Sequence, residues 1–111
     1  MKLLPFDVVV VPFPYSDQLA EKRRPALVVS HPDLPARLAR VWVAMITSVS
    51  HRELGDAAID DLEAAGLPAV STLRASKLAT VDVGRVIRVA GRLADDDQKL
   101  ARRALLACAG F

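Results

Sequence analysis

The sequence predicts a small, mainly β domain that closes with one helix. Three observations carry this expectation: short β-branched runs punctuated by proline and glycine, a late segment with helical spacing, and a length of 111 residues that leaves room for one core, over residues 1–111. A domain of this size buries roughly 60–70% of its unfolded surface, enough to fold without staples.

The first strand is read at Asp7–Val11, β-branched and closed by Pro12. Pro12-Phe13-Pro14-Tyr15-Ser16-Asp17 does not suit a sheet centre, because proline has no ladder donor, so a loop long enough to be functional is expected up to Arg24. Ala26–Ser30 and Arg40–Ile46 follow as strands, separated by His31-Pro32-Asp33-Leu34-Pro35. The third strand is apolar on both alternating faces, with Val41, Val43 and Met45 against Trp42, Ala44 and Ile46. That suits a central strand of a covered sheet, with Trp42 in the core or at a dimer contact.

Asp60–Ala65 fits one or two helical turns ended by Gly66, and Leu67-Pro68 then resets the chain. Short strands are expected at Val70–Arg74, Leu78–Val81 and Val86–Val89, with Gly84 turning the chain between the last two. In the final helix Asp95 and Gln98 have capping-box spacing, and Asp95–Asp97 place carboxylates on the positive end of the helix dipole. Leu100, Ala104, Leu105 and Cys108 recur at helical spacing and predict one buried stripe, with Gly110 as the stop.

Composition narrows the classes. At 52% hydrophobic and 25% charged residues the chain is far from a disordered profile. A net charge of +2 permits a nucleic-acid partner without demanding one. The single Cys108 cannot form an internal disulfide and reads as a small buried hydrophobe in a reducing compartment. No stretch resembles a targeting signal or a membrane span, so a cytoplasmic location is expected. His31 and His51 lie far apart with no cysteine pair, so neither a metal site nor a cofactor is expected.

The phrase Phe13-Pro14-Tyr15-Ser16-Asp17, followed by Lys22-Arg23-Arg24-Pro25-Ala26-Leu27-Val28-Val29-Ser30, resembles the signature of MazF/PemK toxins. Further pieces are similar in the same order: Ala44-Met45-Ile46-Thr47-Ser48, Ala65-Gly66-Leu67-Pro68, Lys77-Leu78-Ala79-Thr80-Val81-Asp82, and Gly91-Arg92-Leu93 leading into acidic residues. No single piece is specific, but five in order over about residues 6–107 are. The resemblance implies an SH3-like barrel of the MazF/PemK/CcdB type, a homodimer, and the toxin part of a type II toxin-antitoxin system. It also implies a metal-independent endoribonuclease that cleaves single-stranded RNA or messenger RNA at short sequences, inhibits translation and growth, and is silenced by a cognate antitoxin protein.

Metal-free RNA cleavage uses the substrate's own 2′-hydroxyl as nucleophile, so the enzyme must take its proton, stabilise charge on phosphorus and let the 5′ oxygen leave. Electrostatic stabilisation is commonly the largest of these effects. Arg24 is the first candidate, since Pro25 holds it extended and a guanidinium grips phosphate at two points. The matching family arginine serves the reaction; the plain alternative is a solvated Arg23-Arg24 pair. Thr47 ends an apolar strand and matches a family threonine that hydrogen-bonds phosphate; the alternative is a residue capping the next turn.

Arg74 resembles an arginine that some members use beside an acid two positions on, but here that position is Ser76. The natural base for the 2′-hydroxyl is therefore missing there, and catalysis, RNA contact and plain surface charge all stay open for Arg74. Asp17 and Glu21 are the nearest acids to Arg24 in sequence, and His51 follows the Thr47 strand. Arg23, Ser48 and Tyr15 complete the implied RNA contacts, Tyr15 as a ring on which a base stacks. Two other classes share the barrel: a non-catalytic toxin that poisons DNA gyrase as the CcdB relatives do, and a non-catalytic RNA- or protein-binding module.

Overall fold

The computed structural model describes residues 2–13, 22–49 and 52–111, apart from the Phe13 side chain. The strands are β1 (Asp7–Phe13), β2 (Lys22–Val28), β3 (Arg40–Thr47), β4 (Asp56–Ala58), β5 (Thr72–Asp82) and β6 (Arg88–Arg92). The helices are α1 (Asp33–Leu38), α2 (Leu62–Ala65) and α3 (Asp95–Cys108), and a 3-10 turn fills Val83–Arg85. The strands form one six-stranded sheet in the order β4-β5-β3-β2-β1-β6, every neighbouring pair antiparallel.

Alternation along the central strands sorts the apolar residues onto two faces. Val9, Val11, Ala26, Val28, Val41, Val43 and Met45 bury on one face, where the sheet curls and brings Ala79, Val81 and Val83 against them. Val8, Leu27, Ala44, Ile46 and Leu73 bury on the other, under Ala65, Leu67, Leu93 and Ala101 from α2, α3 and their flanks. The central position of β3, expected from its two apolar faces, is observed between β2 and β5. Trp42, however, is 50% exposed beside exposed Leu78, so it is not a core residue of the monomer.

Several boundaries differ from the sequence reading for reasons of hydrogen bonding. β1 runs through Pro12 because its pairing with β6 has already ended at Val10, and Pro12 faces only Arg23 of β2. β2 begins at Lys22 rather than Ala26 and stops at Val28, so Arg23 and Arg24 are strand residues and not loop. Pro25 is tolerated there because it pairs with Val10 on β1, while the ladder to β3 starts only at Ala26. The prolines between β2 and β3 open a short helix that was read as a connection. Pro32 is its N-cap and Pro35 its third residue, a position whose N–H would have no helical partner anyway. The two strands expected at Val70–Arg74 and Leu78–Val81 are one, β5, with residues 75–77 bulging out of the β3 ladder. β4 was not anticipated, and the last strand is Arg88–Arg92 rather than Val86–Val89.

α2 ends as expected, on Gly66 at φ +70°, and Asp61 Oδ1 caps its start by accepting from the Ala64 N–H at 3.0 Å. The expected capping box of α3 does not form: Ala94 is the N-cap, and Gln98 Nε2 donates to the Leu93 carbonyl at 2.9 Å. The buried stripe is Asp97, Ala101 and Ala104, while Leu100 and Cys108 are exposed. Asp97 draws that face inward. Only 4% exposed, its carboxylate accepts the Asp60 N–H at 3.1 Å and the Asp61 N–H at 2.9 Å, which pins the entry of α2 to α3.

Candidate active site

Arg24 and Thr47 are related by strand register. Ala26 pairs with Met45, and Arg24 and Thr47 each lie two residues further along the same antiparallel pair, so the register carried on faces one with the other. Alternation puts both on the face of Ala26 and Met45. Past Ala26, β2 is laddered to β1 and β3 to β5, so the pair sits where the two central strands part. Arg24 is partly buried with its Nε screened from solvent, an environment in which a guanidinium attracts phosphate more strongly than in open water. Thr47 Oγ1 accepts the Val49 N–H at 3.2 Å, which is the turn-capping contact read as its alternative role. Accepting leaves its own O–H to donate outward, so the two roles are compatible.

Arg74 lies opposite Met45 on β5, on the same face and diagonal to Thr47. It is not an open cation. Nε donates to Asp56 Oδ1 at 3.1 Å and Nη2 to Asp56 Oδ2 at 2.9 Å, with Glu53 Oε1 3.5 Å from Nε. The hydrogen bond to Asp56 raises the Arg74 pKa above its ordinary value, helped by the charges of Asp56 and Glu53 against the opposing effect of burial. A raised basic pKa means that the arginine's own share of the stabilisation is lost only as pH climbs through its folded-state value. The acid missing at Ser76 has a spatial counterpart, because Ser76 Oγ donates to Glu53 Oε2 at 2.9 Å. Glu53 and Asp56 were not singled out in the sequence, where no spacing links them to residues 18 and 23 positions away.

The remaining residues distribute as follows. Arg23 lines, together with Arg24, Arg88, Pro25, Leu67 and Pro68, an open cleft of about 300 Å³. Ser48 is exposed directly after Thr47. Tyr15, Asp17, Glu21 and His51 lie outside the described residues. Arg92 donates to Asp7 Oδ1 at 3.1 Å and to the Pro5 carbonyl at 3.0 Å, which gives it a structural task. Arg102 lies over the Phe6 ring at 5.3 Å. Among the described residues no group of three or more His, Cys, Asp or Glu is placed to hold a metal ion, and no helix is long and apolar enough to cross a membrane.

Fold and site together define a small curled-sheet protein with a C-terminal helix and a guanidinium–hydroxyl pair at the parting of two central strands. The chain belongs to the PemK-like, MazF-like toxins of type II toxin-antitoxin systems, whose family profile matches residues 4–108. MazF from Deinococcus radiodurans superposes with a TM-score of 0.79 at 18% identity, over 100% of this chain and 99% of that one. An endoribonuclease in complex with its cognate antitoxin, from a Mycobacterial species, gives 0.78 at 17% identity over 97% and 95%. The Mycobacterium tuberculosis toxin MazF-mt6 gives 0.73 at 20% identity over 89% and 91%. No curated protein sequence matches the chain.

Proposed function

We propose that this chain is a metal-independent endoribonuclease that cleaves single-stranded RNA, with Arg24 and Thr47 as the residues on the scissile phosphate. One observation supports the reading most: the register of β2 and β3, carried two residues past Ala26 and Met45, sets Arg24 opposite Thr47 on one face. There a planar cation can neutralise charge developing on the phosphoryl oxygens, and the Thr47 hydroxyl can donate to one of them. Attack of the substrate's 2′-hydroxyl forms a 2′,3′-cyclic phosphate, and the bond to the 5′ oxygen breaks. Family membership supports a cognate antitoxin as partner and cytoplasmic action on messenger RNA. The exposed apolar pair Trp42 and Leu78 supports a homodimer, which light scattering reads as twice the 12.0 kDa chain mass.

Incubation with a long RNA in excess EDTA tests the activity. Discrete fragments with cyclic phosphate ends are expected, and none from Arg24→Ala. Intact RNA together with arrested DNA supercoiling would establish the gyrase-poison reading instead.

A further inference from the structure

We propose that Glu53 is the general base for the 2′-hydroxyl, replacing through space the acid that the sequence lacks at Ser76; this deepens the nuclease reading and rests on it. Glu53 is built into the site. Its Oε2 accepts from Ser76 Oγ at 2.9 Å and its Oε1 lies 3.5 Å from Arg74 Nε. Its backbone is clamped as well: Glu53 N–H donates to Asp56 Oδ2 at 3.1 Å, and Asp56 N–H donates to the Glu53 carbonyl at 3.1 Å. Gly55 closes this turn at φ +90°, where any side chain would run into Cys108 Sγ and the Ser76 backbone. The turn is wedged between α3 and β5 and holds Glu53 where it stands.

The location suits a proton acceptor. Arg74 lies diagonal to Thr47 on the same face of the sheet, and the Glu53 carboxylate adjoins the Arg74 guanidinium, so Glu53 stands on the face that carries Thr47. With its side chain 44% exposed, Glu53 is open to substrate, whereas Asp56, at 1%, is not. A carboxylate offers about four acceptor positions, so a substrate hydroxyl can be accepted beside Ser76. In the step, Glu53 takes the 2′-hydroxyl proton, the 2′ oxygen bonds to phosphorus, the bond from phosphorus to the 5′ oxygen breaks, and water protonates that oxygen. Glu53 returns its proton to solvent.

Four proteins test this on one RNA: the parent, E53Q, E53A and E53A/S76D. The isosteric E53Q keeps an oxygen for Ser76 and is expected to lose about 10²–10⁴-fold in single-turnover rate, the range a positioned base supplies. Its affinity for the matching 2′-deoxy strand, which cannot react, should stay within about twofold of the parent's. E53A/S76D is expected to regain at least tenfold over E53A, because it returns a carboxylate to the same place. If the parent leaves RNA intact, the nuclease reading falls and this assignment with it. If the parent cleaves and E53Q matches it, only Glu53 is dismissed. Parallel loss of 2′-deoxy strand binding in E53Q would make Glu53 a residue that positions RNA, which overturns its role as base.

Discussion

The Arg74 guanidinium holds the Asp56 carboxylate at two points, Nε to Oδ1 at 3.1 Å and Nη2 to Oδ2 at 2.9 Å, with the two side chains only 11% and 1% exposed. Breaking such an enclosed pair by removing one partner typically costs about 3–5 kcal/mol, because the other charge stays behind. Glu53, 3.5 Å away, offsets part of this. Asp56→Ala should therefore lower the unfolding free energy by about 2–4 kcal/mol in urea titration. A double variant that also removes Arg74 should recover part of the loss. A change below about 0.5 kcal/mol would place the pair among inconsequential surface contacts.

Asp97 makes a second stability prediction. Its buried carboxylate satisfies the N–H groups of Asp60 and Asp61. Asp97→Ala leaves those donors without their acceptor and should cost about 2–4 kcal/mol, given about 1.5–3 kcal/mol for a bond to a charged group. Neighbouring Asp96, fully exposed, should tolerate alanine within about 0.5 kcal/mol. Thermal melts of both variants decide it; equal effects would mean that position on the dipole, and not burial, matters.

Arg24→Lys separates charge from shape. Lysine keeps the positive charge but loses the planar fork, so RNA cleavage should fall by about 10²–10³-fold, the range for one lost transition-state donor. The melting temperature should hold. Near-parental turnover in Arg24→Lys would show that a point charge suffices.

Thr47→Val keeps the β-branched shape and removes only the hydroxyl. It should cost no more than about 0.5–1 kcal/mol of stability, since the exposed Val49 N–H turns to water, and reduce cleavage by about tenfold or more. Thr47→Ser should retain most of both. If serine fails as badly as valine, the methyl group and its packing carry the effect.

Much of the fold was legible because its signals are local. The apolar alternation of Arg40–Ile46 located the central strand, Gly66 located the end of α2, and the acidic run at Asp95 located the start of α3. Arg24 and Thr47 were nominated through the family pattern, with Pro25 as a physical anchor. Where the local reading failed, a long-range contact had intervened. Leu100 gave way to Ala101 because Asp97 turns its face of α3 toward the chain entering α2. The prolines at 12 and 25 remained in strands because each sits where one neighbour's ladder has ended or not yet begun.

By itself, then, the sequence determined a small β domain with a terminal helix and its family, and it nominated Arg24 and Thr47 for the phosphate. Only the tertiary structure decided what surrounds Arg74, which carboxylate lies beside Ser76, and why Asp97 is buried. The physical reason is reach. Propensity, periodicity and proline geometry act over a few residues, whereas these contacts join positions 18, 23 and 37 apart, and chain folding alone brings such groups within a hydrogen bond.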